Sequence, residues 1–411
     1  MASAAEPGVL EGGTPAPPTG VEELRSSLLR AIGTTARALG MAQRSSSPLL
    51  PKVTAEAALL VHVVECAGAP ATGAAVEEAT AALRTRVRHE VGDPVLAARI
   101  ALNPVHVADL ASAYVLLTRG PSWACAHGTA TRRADVDRAL RDAWAVTADR
   151  ESLPHRVLER CWLAHLLGLP PRLRTERAAL HLSALGSPAD VLAGSRLDAY
   201  AFTHSVMYAT HLGTRRCPPV RRAHEVCSDA ESLLAGAVAA RDMDLAGELL
   251  LVWPQMGAPM PAAARCAFTV LAAQERRHGT LPSLAHDGSD PDRAAATSYH
   301  AAVVWGILAA SLLRLGVPVP TWAPSRADLR LHRQLTALLG DRGPVLDVRL
   351  AMGAALRMAV ARADAAPLEA LLHLAQAHGV GDLAAARQSL DLVLRLGELG
   401  RAQQRAECVP A

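Results

Sequence analysis

Sixteen residues, Asp198 to Gly213 (DAYAFTHSVMYATHLG), hold most of the side chains that could move protons. The chain has four Tyr and two Phe, and Tyr200, Phe202 and Tyr208 fall in this segment. On a helix, Tyr200, His204, Tyr208 and His211 follow at spacings of four, four and three, which puts all four on one face. Imidazole titrates near neutrality, and a hydrogen-bonded phenol can relay or stabilise charge. Such a face is therefore suited to acid/base chemistry. Asp198 at its start could orient a ring, and Thr203 adds a hydroxyl. The competing reading is a buried interhelical network in which these groups satisfy one another.

Other residues could join this face. Tyr299-His300 opens an otherwise aliphatic segment, and Gly306 with its neighbouring alanines would leave room there for a ligand. Glu159 and Trp162 lie on a segment that also carries Cys161 and His165, a pair at metal-ligand spacing with no second pair. Trp123, Cys125 and His127 occur in a glycine-bounded loop. His204 and His211 are about 10 Å apart along a helix, too far to share one ion. The expectation is no cofactor, with zinc as the alternative. No P-loop, GxGxxG, GxSxG, HExxH or DDxxD motif occurs. The expected catalytic residues are His204, Tyr208, His300 and Tyr299. Tyr200, Thr203, His211, Asp198, Glu159 and Trp162 are expected to contact substrate.

The elements that position these residues read as helices. The chain has 411 residues, 50% of them hydrophobic but only 3% aromatic, so a core must be built from Ala, Leu and Val. Ala and Leu favour helix, and strand formers are sparse. The pattern predicts an all-α protein of about fifteen helices in one layered domain, barrel-like or an α/α toroid, over residues 21–400. Residues 1–20 and 401–411 read as tails. The SSSPLLP run, Ser45 to Pro51, reads as a loop, and Asn103-Pro104 as a cap with Pro at the first helical position. Ser187-Pro188 reads as a helix start, and Gly213 as the residue that ends the segment described above.

The net charge is +3, and Lys52 is the only lysine. Acidic residues are interspersed with the arginines, which argues against nucleic acid as a partner. Seven scattered cysteines without a CxxC pair fit a cytoplasmic setting. The N-terminus lacks the features of a signal peptide. The apolar run Ala301 to Leu313 is too short to span a bilayer, so no membrane association is expected.

Three resemblances bear on the fold. Leu271 to Pro282, LAAQERRHGTLP, is similar to the Q-x-x-D-G-x-aromatic element that ends helices in α/α-toroid enzymes such as terpene cyclases and prenyltransferase subunits. Gln274 and Gly279 match, while His278 replaces the Asp and one residue is added. Ala124 to Thr129, ACAHGT, is similar to the Cys-His-Gly zinc motif of lanthionine cyclases, with Ala126 inserted. Thr203-His204…Tyr208 and Tyr299-His300 resemble the T-H-x-x-x-Y and Y-H helices of a family of uncharacterised, mostly actinobacterial proteins, a domain of unknown function. This last resemblance covers about residues 22–320 and implies a helical, enzyme-like fold. His211 stands where the family would place an acidic residue.

Two functions are compatible with these features. One is an enzyme of specialised-metabolite biosynthesis, which cyclises, eliminates from or isomerises a peptide or small organic substrate, with partner biosynthetic proteins. The other is a non-catalytic helical scaffold that binds a peptide or partner protein. Whether His204 and His300 face one space open to solvent separates them.

Overall fold

The computed structural model describes residues 20–119, 134–147, 151–170, 172–218, 220–282, 291–340, 344–362 and 365–407. The chain is all-α, with no strand among the described residues. Helices α1 (Gly20–Arg44), α2 (Leu50–Ala67), α3 (Ala69–Thr72), α4 (Ala74–Val91) and α5 (Leu96–Leu102) come first. A 3-10 turn, Pro104–His106, leads into α6 (Val107–Arg119). Then come α7 (Ala134–Val146), α8 (Pro154–Leu166), α9 (Leu173–Leu182), α10 (Arg196–Ala209) and α11 (Ala223–Ala239). Next are α12 (Met243–Leu250), α13 (Val252–Met256), α14 (Ala262–His278) and α15 (Pro291–Leu315). The last four are α16 (Arg326–Leu339), α17 (Val348–Ala361), α18 (Ala365–Ala377) and α19 (Ala384–Glu407).

Helix packing closes a cycle. α15 packs on α2, α2 on α6, α6 on α8, α8 on α10, α10 on α12, and α12 back on α15. Other helices back this cycle from outside: α1 lies along α15 and α2, α9 along α8, and α11 along α12. α17 packs on α11, and α18 and α19 pack on α17. Ala294–Leu315 is long and apolar enough to cross a membrane, but 83% of its most apolar window is buried inside the protein. Its apolar length is used to pack against α1, α2 and α12.

Gly306 shows how close that packing is. A Cβ there would lie 2.8 Å from Leu60 Cδ1 and 2.9 Å from Ala31 Cβ. The missing side chain lets three helices meet, so Gly306 makes no room for a ligand. This corrects the expectation from sequence.

Several helix boundaries differ from their sequence signals. α2 already begins at Leu50, because Pro51 occupies the first turn, where its missing N–H costs nothing. Asn103 makes no side-chain cap, and Pro104 begins a 3-10 turn rather than an α-helix. Ser187-Pro188 lies in irregular chain. The cap of α10 is Ser195, which accepts from the Asp198 amide while Asp198 accepts from the Ser195 amide. α19 runs on to Glu407, past the expected tail boundary. Trp123, Cys125 and His127 lie outside the described residues.

Candidate functional site

The six helices of the packing cycle bring ionisable side chains together. α12, MDLAGELL, carries Asp244 and Glu248 one turn apart on one face. Glu248 is 1% exposed and connects two neighbouring helices. Its Oε1 lies 3.3 Å from His300 Nε2 on α15. Its Oε2 lies 3.6 Å from His204 Nε2 on α10 and accepts a 2.5 Å hydrogen bond from Thr203 Oγ1. His300 Nδ1 is 3.1 Å from Glu56 Oε2 on α2, and Nε2 is 3.6 Å from Asp244 Oδ1. Tyr200 donates a 2.5 Å hydrogen bond to Asp244 Oδ2, with the Arg196 guanidinium stacked over its ring at 4.8 Å.

The fifth helix is α8. His155 lies 5.9 Å from His204, ring to ring. Arg156 pairs with Glu159 and, at 2.5 Å, with Asp109 of α6. Tyr208 lies close enough to Glu159 for the two to influence each other's charge, and stacks on Trp162 at 5.7 Å. All six helices of the cycle therefore contribute to one continuous constellation. Glu56, Asp109, His155, Tyr200, Asp244 and His300 each sit in the N-terminal half of their helix. Contacts also advance together along neighbouring helices: Tyr200 with Asp244 then Thr203 with Glu248, and His155 with His204 then Trp162 with Tyr208. The same holds for Glu56 with His300 then Leu60 with Gly306, and for Asp244 with His300 then Gly247 with Val304. Asp109 and Arg156 join the first turns of α6 and α8, so the six helices run the same way. Despite this crowding, the side chains of His204 and His300 remain 29% and 30% exposed, so both rings are only partly enclosed by protein atoms.

The charges follow from these distances. Burial alone would lower the His300 pKa, but Glu56, Glu248 and Asp244 raise it well above the ordinary imidazole value. Burial likewise opposes the charge on His204, and Glu248 with Glu159 outweighs it, so this ring is also raised. Burial would raise Glu248, yet the two imidazoliums hold it well below the usual carboxylate range. His155 behaves oppositely. Burial, then His204 and Arg156, push it down to about 4, so it is neutral at pH 7. Burial and Asp244 raise Tyr200, and burial and Glu159 raise Tyr208, so both phenols keep their protons. Burial also raises Asp244 and Glu159 above the usual range.

The sequence-derived residues divide into two groups. His204, Tyr208, His300, Tyr299, Tyr200, Thr203, Glu159 and Trp162 all belong to the constellation, with Tyr299 hydrogen-bonded to Glu56. Asp198 does not. It is exposed and committed to the cap of α10. His211 does not either, because α10 ends at Ala209. His211 and Leu212 then take left-handed φ values of 48° and 57° ahead of Gly213. This turn swings His211 off the shared face, to 5.1 Å from His165 on the outer flank of α8. Arg314 of α15 fixes the turn by donating to the Gly213 carbonyl at 3.0 Å.

Sequence reasoning missed Glu56, His155, Arg156, Asp244 and Glu248. The Asp244/Glu248 pair had a legible signal: two carboxylates four apart in a short, otherwise apolar helix. The carboxylates around His300 do not converge on one lone pair, since Glu56 faces Nδ1 while Asp244 and Glu248 face Nε2. Among the described residues, no group of three or more His, Cys, Asp or Glu has the arrangement of a metal site. Cys161 and His165 face the flank of α8, where His211 and Glu176 line the same cavity, without the arrangement of a metal site.

An all-α chain with a histidine–carboxylate constellation inside a cycle of parallel helices is the class these features define. The chain belongs to the family described as Domain of unknown function (DUF6895), whose sequence profile matches residues 28–310. The matched span runs from α1 into α15 and includes every residue of the constellation. No curated protein and no solved structure matches the chain.

Proposed function

We propose that this protein is an enzyme of the α/α-toroid type, with the six-helix packing cycle as its inner barrel. It carries out acid/base cyclisation, elimination or isomerisation of a peptide or small organic substrate in the space those helices enclose. The observation that carries this reading is the Glu248 bridge between two histidines that are both only partly enclosed. A purely structural network would enclose and satisfy both rings. Here His300 Nδ1, Glu56 Oε2 and Asp244 Oδ1 are buried without a well-formed hydrogen bond. Specialised-metabolite biosynthesis in the cytoplasm is the setting we assign to it.

The roles follow from the protonation states. His300 and His204 are cationic and serve as proton donors. His155, neutral and next to His204, is the base. The base takes a proton from one substrate atom while an imidazolium returns one to another, so a full turnover leaves the protein's charge unchanged. Tyr200 and Tyr208 stay protonated and position Asp244 and Glu159.

The test is mass spectrometry of source-cell extracts incubated with purified protein. Isomerisation gives a product isobaric with its substrate, and elimination gives one lighter by the leaving group. Both products should be absent with His204→Ala and His300→Ala. Wild-type turnover by both variants would sink the assignment.

A further inference from the structure

Outside the helix cycle, on the opposite flank of α8, lies a cavity of about 710 Å³ between α7, α8, α9 and the turn after α10. Its volume is that of a site for a small organic molecule. Four arginines line it (Arg141, Arg160, Arg172 and Arg215) against two glutamates, Glu151 and Glu176. Arg215 is committed to Glu176 at 2.7 Å. Glu151 accepts from the Ser152 and Leu153 amides at the start of α8.

Arg160 is the unusual member. It is 7% exposed, and among the described residues it makes no direct ion pair; the nearest influence of opposite charge is Glu151 across the cavity. One nitrogen donates to Thr147 Oγ1 at 2.5 Å, and the group lies over the Trp144 ring at 5.6 Å. Taking a cation out of water without a counter-charge is costly, and an arginine presents a fork of donors matched to carboxylate and phosphate. Burial lowers its pKa accordingly. The apolar part of the lining comes from Val157 and Ala164, which flank Arg160 on α8, and from Leu169 and Leu173. Leu173 is 67% exposed.

We propose that this cavity is a binding site for an organic anion, with a carboxylate or phosphate group on Arg160 and an aromatic or aliphatic body against Trp144 and Leu173. Thr147 and Trp144 hold the guanidinium in place before the ligand arrives. Arg141, exposed at the rim, adds attraction without a contact of its own. The site is separate from the histidine constellation and does not depend on the reading given to it.

Titration calorimetry on the full chain tests this with benzoate, phenyl phosphate and benzyl alcohol as probes. Both anions should bind saturably, and benzyl alcohol at least about tenfold more weakly, since hydrogen bonds to a charged partner supply the difference. The ranking of the two anions tells whether the natural ligand presents a carboxylate or a phosphate. Arg160→Gln should weaken benzoate binding by about tenfold or more. Should that variant fail to fold, Arg141→Gln decides: it should weaken binding severalfold, and less so as salt is raised. Three results would overturn the proposal: no saturable binding of either anion at millimolar concentration, benzyl alcohol binding as tightly as benzoate, or unchanged benzoate affinity in folded Arg160→Gln and Arg141→Gln.

Discussion

Replacing Glu248 by Gln keeps the shape of the side chain and removes the charge that two imidazoliums share. Their raised pKa values mean that they stabilise the fold fully below the unfolded histidine value of about 6.5, and lose that contribution as pH rises through the folded values. Glu248 is depressed, so its contribution is present above the unfolded value of about 4.3 and is lost as pH falls through the folded one. The two windows overlap between about pH 4.3 and 6.5. There the substitution leaves buried charge uncompensated, at a cost of about 3–5 kcal/mol. With an unfolding entropy of roughly 0.8 kcal/mol/K for a chain of this size, Tm should fall by about 4–6 °C. Above the folded histidine values the rings are neutral with or without Glu248, and the cost should shrink to about 1 kcal/mol, that of altered hydrogen bonds.

The two histidines should respond unequally. His300 keeps Glu56 at 3.1 Å and Asp244 at 3.6 Å, whereas His204 keeps only the more distant Glu159. His204 should therefore lose more of its raised pKa. Denaturation at two pH values, with imidazole nitrogen NMR titrations of the wild type and Glu248→Gln, reads all of this. A stability loss independent of pH, or an unchanged His204 titration, would refute the reasoning.

Further outcomes are expected. Tyr200→Phe removes the donor to Asp244 Oδ2 and should cost about 1–3 kcal/mol in chemical denaturation, because Asp244 Oδ1 is already unsatisfied. Gly306→Ala should cost about 1–3 kcal/mol by forcing α15 away from Ala31 and Leu60, and an unchanged midpoint would contradict the close approach. Elemental analysis of the purified protein should find no stoichiometric zinc, and one zinc per chain would replace the acid/base mechanism with a metal-assisted one.

Much of the fold is local and could be read from composition. Helix formers dominate, so the all-α class follows directly. The Tyr200–His204–Tyr208 stripe was equally legible, because three residues on one helix share a face wherever that helix packs. His211 was misplaced because helix termination here does not wait for Gly213: two non-glycine residues in left-handed conformations turn the chain earlier, held by Arg314 about a hundred residues downstream. Glu56 and His155 lay beyond reach for another reason. Each is a single polar residue on an ordinary amphipathic helix, and only long-range packing of α2 and α8 beside α10 and α15 gives it a partner. Arg160 reads in sequence as one more surface arginine, and its burial without a direct ion pair among the described residues exists only in three dimensions.

The common direction of the six cycle helices has a consequence for how such a protein can change. Their N-termini gather at one rim, so the connections that enter them gather there as well: residues 45–49, 103–106, 151–153, 183–195 and 240–242. Lengthening a surface connection costs little closure entropy, since each doubling adds only about 0.6 kcal/mol. On the enzyme reading proposed above, the helices would carry the chemistry and these connections the substrate preference, so that one could be altered while the other is left intact.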